Sequence, residues 1–261
     1  MTNDYISERV IAIIPAAGKA TRLPSINCSK EILPIGYKNP SVNNTEMDKP
    51  VCFHLMEKLT KSDITKAIMV IREDKWDIPN TLGNGKCVNM EIAYQMLALP
   101  HGTAFTIDQA YPFVNDNIVA IGFPDILFSP DDAYSQILNS LTKSDTDIVL
   151  GLFPADKPEK VDMVKINHQN EVLDIVIKPK ITDLEFTWGI AVWKPSFTRF
   201  LHQYLNTYHH KESDPELFIG DVIREAISQG LSVTAKQVSD SPFLDMGTDA
   251  DLKKAISLFS K

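Results

Sequence analysis

Short β-branched apolar runs, each closed by glycine or proline and followed by a helical pattern, are the strongest constraint on how this chain folds. Val10 to Ile14 reads VIAII, an unbroken apolar run of the kind found in strands buried on both faces of a parallel sheet. Ala67 to Ile71 (AIMVI), Ile118 to Ile121 and Asp147 to Phe153 repeat the pattern, and Met90 to Tyr94 is a further strand candidate. Helical stretches alternate with them. Pro50 opens an amphipathic segment to Lys61 with proline in its first turn. His101 to Ala110 begins on a glycine turn, and Asp131 to Lys143 begins with two acidic residues suited to a helix N-terminus. Such alternation over residues 10–153 predicts an α/β fold built on a layered, mostly parallel sheet.

The remainder is less regular. Met163 to Asn167 and Val172 to Ile177 flank a polar turn and predict a hairpin, and Trp188 to Trp193 predicts a strand. Helices are expected at about Pro195 to Tyr208 and Gly220 to Gln229, with Asp221 placed to cap the second. Leu231 to Gln237 reads as a strand and Asp249 to Phe259 as a closing helix. Leu33 to Ile35 is a short apolar piece, while Asn39 to Lys49 is polar and turn-rich and reads as a surface insertion. Trp76 and Trp193 read as core or rim packing. His209 and His210 point to different faces of a helix and read as a solvated helix end. No repeat or linker divides the sequence, so residues 1–261 read as a single domain.

Charge narrows the function classes. Lys and Arg total 26 against 34 Asp and Glu, a net charge of -8, which argues against a nucleic-acid partner while leaving room for a local basic pocket. Cys28, Cys52 and Cys87 are too few and too scattered for a disulfide framework or a CxxC site. That usage suits a reducing, cytoplasmic setting. No apolar run approaches the roughly 18 residues of a membrane span, and the acidic N-terminus lacks the apolar core of a secretion signal.

The chemistry-bearing residues cluster at the ends of the predicted strands. After the first strand comes IIPAAGKATRL (Ile13 to Leu23), a small-residue turn in which Ala16, Ala17, Gly18 and Lys19 let backbone N–H groups approach a phosphate closely. Thr21, Arg22 and Lys30 add a hydroxyl and two cations; Arg can fork onto phosphate oxygens, whereas Lys acts as a point charge. The stretch is neither a P-loop, which needs GxxxxGK[ST], nor a GxGxxG dinucleotide fingerprint. A plain strand-to-helix turn is the alternative. Asp125 (in VAIGFPDILF) and Asp245 (in FLDMGT) each follow an apolar stretch. Carboxylates at strand ends lie where α/β sheets bind ligands, and two of them suffice for one Mg²⁺ completed by phosphates and water. Read alone, each is a helix cap or turn residue before it is a ligand.

AAGKATRL, SKEILPIG (Ser29 to Gly36) and DKP (Asp48 to Pro50) together resemble the N-terminal signature of the sugar-phosphate nucleotidyltransferases, the NDP-sugar pyrophosphorylases that include glucose-1-phosphate thymidylyl- and uridylyltransferases. The resemblance runs from Val10 to Leu252. It implies a three-layer α/β/α, Rossmann-like fold with a central mixed, mostly parallel sheet. It also implies a loop that wraps an NTP, with Arg22 and Lys30 neutralising charge at the attacked α-phosphate. Asp125 matches the aspartate of the family's GDN-type motif and Asp245 that of its late W-x-D-x-G-T motif, which implies that the pair holds a catalytic Mg²⁺. Leu99 to Ala104 (LPHGTA) is similar to the turn that packs near the base, matching at Pro100, Gly102 and Thr103; Thr103 is also placed to cap the helix it opens. VIKPK (Val176 to Lys180) resembles the acceptor-binding E-K-P motif, with Lys178 matching the phosphate-binding Lys and Ile177 standing where the family has Glu. Met163 replaces a sugar-contacting glycine, and Trp188 stands beside the retained Gly189.

Other departures are Ala20 at a family glycine, a slightly shorter stretch from Arg22 to Lys30, the longer insertion at Asn39 to Lys49, and Leu97 at a base-reading Gln. The resemblance implies an enzyme joining an NTP to a phosphorylated acceptor, with residues of about 10–153 serving the nucleotide and about 154–261 the acceptor. The family often forms dimers or tetramers, and the sequence does not specify a homo-oligomer. Ile177, Met163 and Trp188 read either as plain core packing or, with the loss of a hydroxyl-binding Glu, as the mark of an acceptor less hydroxylated than glucose 1-phosphate, a deoxy or amino sugar phosphate or, in a cytidylyltransferase, a phosphorylated alcohol such as phosphocholine. A non-catalytic nucleotide-binding regulator on the same fold is the other alternative. A dehydrogenase is excluded by the missing fingerprint.

Overall fold

The structure, a computed structural model, describes residues 9–18, 28–38, 47–97, 101–208 and 215–259. Its strands in chain order are β1 Val10–Pro15, β2 Pro34–Lys38, β3 Met47–Pro50, β4 Lys66–Arg72, β5 Glu91–Leu97, β6 Ile118–Gly122, β7 Ile126–Leu127, β8 Ile148–Pro154, β9 Met163–Ile166, β10 Val172–Val176, β11 Phe186–Trp193, β12 Val233–Gln237 and β13 Leu244–Asp245. β12, β8, β11, β6, β1, β4 and β5 lie side by side in that order, and the hairpin β9–β10 joins at the start of β11 through Thr187 and Met163. β1 pairs in parallel with both β4 and β6, β4 with β5, and β8 with β12; β11 alone in the row runs the other way, between β6 and β8. The sheet is therefore mixed and mostly parallel, as expected.

Burial on both faces explains the unbroken apolar runs. Along β1, Val10, Ala12 and Ile14 join one core, and Ile13 joins the other. The first core is covered by the helices Val51–Lys61, Asp77–Leu82 and Ala133–Thr142. The second is covered by Thr103–Asp108, Tyr111–Val114, Pro195–Thr207 and Ile219–Ser228. Two helical layers around one sheet give the three-layer α/β/α fold. A third, smaller cluster of Ile35, Val51, Leu127, Met246 and Ala255 ties β2, β7 and β13 to the helix Asp249–Phe259.

Chain order reverses at β1. After it the chain steps outward to β4 and β5, then returns to lay β6 on the other side of β1. Crevices at such reversals, beyond the carboxyl ends of the strands, are where open α/β sheets take ligands.

Three expectations need correction. The presumed surface insertion ends in structure, because Met47–Pro50 pairs antiparallel with Pro34–Lys38; its positions 39–46 lie outside the described residues. Trp76 is 56% exposed rather than packed in a core or rim, because it stands at the solvent-facing start of Asp77–Leu82. Thr103 does not cap its own helix. Its hydroxyl accepts a hydrogen bond from the Ile219 N–H at 3.0 Å, at the start of a different helix. Asp221 does cap as expected, taking the Phe218 N–H at 3.1 Å. His209 and His210 lie outside the described residues.

Candidate active site

The loop leaving β1 is held on both sides. The Ala16 N–H donates to the Val70 carbonyl at 2.8 Å, and the Ala16 carbonyl accepts from Lys75 Nζ at 2.8 Å. Ala16 and Ala17 are buried and Gly18 is exposed, close enough to Lys30 that a Cβ there would lie 4.0 Å from Lys30 Cε. Lys19, Arg22 and Pro100 lie outside the described residues.

Lys30 belongs to a short 3-10 turn, Lys30–Ile32, that is clamped at both neighbours. Before it, Ser29 donates its N–H and Oγ to the Asp77 carboxylate at 2.6 and 2.7 Å. After it, Glu31 is 1% exposed and takes both oxygens to Lys75 Nζ, at 2.8 and 2.9 Å. Burial pushes the Glu31 carboxyl above the usual range, with the Lys75 ammonium pulling the other way. The sequence reading missed Glu31, Lys75 and Asp77. Their only signal was a charged residue wedged between Lys30 and the apolar ILPI.

With its neighbours fixed, the Lys30 side chain reaches Asp125 and donates to Oδ2. Burial works against the ammonium. The facing Asp125 carboxylate outweighs it, helped by Glu31 and Asp245, and holds the Lys30 pKa above the ordinary lysine value. Asp245 arrives from far along the chain through the small pair β7–β13, in which it stands opposite Ile126. The Met246 N–H closes the junction on the Asp125 carbonyl at 2.9 Å. Thus Lys30, Asp125 and Asp245 meet at the carboxyl end of the sheet, beside the β1–β6 reversal. The two carboxylates already face a cation and are hard oxygen donors, which fits Mg²⁺. Among the described residues no group of three or more His, Cys, Asp or Glu forms a metal cage. A site that draws its other ligands from phosphates and water does not require one.

A cleft of about 270 Å³ opens in front of this pair, lined among others by Thr103, Asp125, Asp245, Lys178 and Trp188. Trp188 is 6% exposed and meets the Phe123 ring edge-on, centroids 6.2 Å apart. Lys178 has φ 41, the left-handed region that non-glycine residues rarely enter. Its Nζ sits 3.8 Å from the centroid of the Phe218 ring. Strain of this kind persists only where surrounding structure enforces it, and it gathers at ligand sites. Gly102 has φ 109 and abuts Leu217, whose carbonyl oxygen would stand 2.3 Å from a Cβ. Met163, Ile177 and Gly189 stand behind the cleft. Met163 is fully buried. Ile177 packs against Gly220, and Gly189 leaves room for the Phe243 ring 3.1 Å from where its Cβ would be.

The family model for nucleotidyl transferases matches residues 11–260. Among curated relatives, the bifunctional protein GlmU of Methanococcus maripaludis is 27% identical over 175 residues, 66% of this chain and 36% of its own length. The low-salt glycan biosynthesis nucleotidyltransferase Agl11 of Haloferax volcanii is 23% identical over 228 residues, 86% of this chain and 61% of its own. This chain therefore spans only part of the length of either relative. A solved structure from Bacillus anthracis, described as a glucose-1-phosphate thymidylyltransferase, superposes with a TM-score of 0.79 at 23% identity, covering 95% of this chain and 94% of that one. That last likeness concerns the fold.

Proposed function

The chain belongs to the nucleotidyl transferase family, and from that premise we propose that it transfers a nucleoside monophosphate from an NTP to a phosphorylated small molecule, a sugar 1-phosphate or similar, with release of pyrophosphate. The observation that carries this reading is the meeting of Lys30, Asp125 and Asp245 beside the loop that follows β1. The acceptor phosphate is already ionised, so it attacks the α-phosphorus in line without a protein nucleophile. Catalysis is then positioning and charge neutralisation. Ala16, Ala17, Gly18 and Lys19 cradle the triphosphate, and Pro100, Gly102 and Thr103 pack near the base. Lys30 and Arg22 offset charge on the α-phosphate and the departing pyrophosphate. Lys178 holds the acceptor phosphate in the cleft in front of Trp188, with Met163, Ile177 and Gly189 backing the residues that line it. Asp125 and Asp245 hold Mg²⁺, which neutralises phosphate charge when bound. In this reading the chain works as one domain. No helix among the described residues is long and apolar enough to cross a membrane.

The test is pyrophosphate release with Mg²⁺ across the common NTPs and a panel of phosphorylated sugars and alcohols, with Asp125→Ala alongside. Release with one pair, lost in the variant, is the expected result. Nucleotide binding without release for any acceptor contradicts the reading.

A further inference from the structure

The cleft holds a carboxyl that this chemistry leaves unused. Asp162 stands just before β9 and lines the cleft with Lys178, Thr187, Trp188 and Phe218. Asp162 Oδ1 is buried and has no hydrogen-bond partner, the one such side-chain atom among the described residues. Folded proteins rarely leave a buried acceptor in that condition, because it forfeits its hydration without replacement.

The position is built. Thr187 Oγ1 donates to the Asp162 carbonyl at 2.8 Å and fixes its backbone. Gly220 gives the carboxyl its room: a Cβ there would stand 2.6 Å from Asp162 Oδ2 and 3.1 Å from Ile177 Cδ1. The protein supplies no rescue. The Lys178 ammonium is turned to the Phe218 ring. Burial pushes the Asp162 pKa up to about 6, with Lys178 and Arg224 pulling it down and Asp221 pushing it up. At neutral pH the group is therefore mostly an anion without a donor.

The other small polar groups of the cleft are already engaged. Thr187 serves the Asp162 carbonyl, Thr248 Oγ1 donates to Asp251 Oδ2 at 2.6 Å, and Thr103 Oγ1 accepts from the Ile219 N–H. Trp188, Phe123 and Phe218 add aromatic surface, and Lys157 and Lys160 stand with Lys178 among the lining residues, Lys157 facing Asp251 at 3.5 Å. What Asp162 Oδ1 lacks is a donor, and what a ligand can best bring to a buried anion is N–H carrying positive charge.

We propose that Asp162 binds an amino group of the acceptor, so that the molecule taken by this cleft is an aminated phosphorylated compound, its phosphate toward Lys178 and its amine toward Asp162. This rests on the nucleotidyl-transfer reading. Asp162 is then a specificity-determining residue that touches substrate.

Calorimetric titration of the whole chain, with Mg²⁺ and a non-hydrolysable NTP, tests the proposal in matched pairs. Glucosamine 1-phosphate is compared with glucose 1-phosphate and its N-acetylated form, and phosphoethanolamine with phosphocholine, which has no N–H. The primary amine of at least one pair binds about ten-fold or more tighter than its partner, the range expected when a buried charged acceptor gains its donor. Asp162→Asn and, as a smaller replacement, Asp162→Ser bring the two members of that pair to near-equal affinity, with NTP binding and the folding transition retained. Equal binding by wild type within both pairs, no binding by any of the probes, or a selectivity untouched by both variants overturns the proposal. Pyrophosphate release separates the two levels. Release with no preference for amines sinks this inference and leaves the transfer reading standing, whereas no release with any acceptor sinks the transfer reading itself.

Discussion

Lys75 braces the proposed active site from outside the residues that line the cleft. Lys75 is 5% exposed, and its ammonium joins the Ala16 carbonyl to both oxygens of Glu31. One group thus fixes the end of β1 relative to the turn that aims Lys30. Breaking a buried ion pair from one side strands the other charge, at a cost of about 3–5 kcal/mol. Lys75→Ala is therefore expected to lower the urea midpoint by that equivalent and to reduce turnover even at temperatures where it remains folded. Unchanged stability would remove the brace from the account. Asp162 behaves in the opposite sense. Its folded pKa of about 6 lies above the ordinary aspartate value of 3.8, so between those values the folded chain binds a proton that the unfolded chain has released. Its contribution to stability falls as pH rises from about 4 to about 6 and is level above that. Asp162→Asn removes the titration, flattens this segment and, by removing a buried charge, stabilises the fold near neutral pH by about 1–3 kcal/mol. Thermal unfolding across that pH range checks both, and a destabilised Asn variant at pH 7 would mean that the carboxylate is structural.

At the scale of elements, long periodic segments were legible and short ones were not. The helix predicted from Pro50 to Lys61 is observed as Val51–Lys61, and the closing helix as Asp249–Phe259. The two-residue pair β7–β13 carries no pattern of its own in the sequence, since two residues cannot show a period. Yet it brings Asp245 to Asp125. Asp125, Asp245 and Lys178 were found through a resemblance rather than through spacing, because they converge only in the folded chain. Asp162 was passed over in favour of its neighbour Met163. The two adjacent residues part at the start of β9, where Met163 is buried while Asp162 lines the cleft. The turn before Thr103–Asp108 offers a test at this scale. Gly102 has φ 109 and Leu217 backbone within 3 Å of any Cβ. Gly102→Ala therefore combines a strained conformation with a clash against rigid backbone, and is expected to destabilise by about 2 kcal/mol or more. Chemical denaturation reads this directly, and a loss below a few tenths of a kcal/mol would show that the turn adapts.

For the whole molecule, the alternation of buried strands and amphipathic helices predicts a layered, mostly parallel sheet and the family resemblance implies three layers, and both are present. The sequence could not reveal which strand runs backwards. β11 is as apolar as its neighbours and is buried on both faces, so its direction leaves no trace in composition. That reversal matters, because β11 carries Thr187 and Trp188 to the cleft while its other end pairs with β6, which leads to Asp125. The sheet thus joins the nucleotide side to the acceptor side, and the proposed reaction occurs where they meet. The central claim is tested most directly by following the α-phosphate. An NTP labelled with ³²P at the α position is mixed with excess enzyme, Mg²⁺ and the preferred acceptor, then quenched in acid. The account predicts that the label passes to the nucleotide–acceptor product, with none left on the denatured protein, and that Asp125→Ala leaves it in the NTP. Label retained on the protein, or transfer that survives in Asp125→Ala, would contradict direct attack at this site.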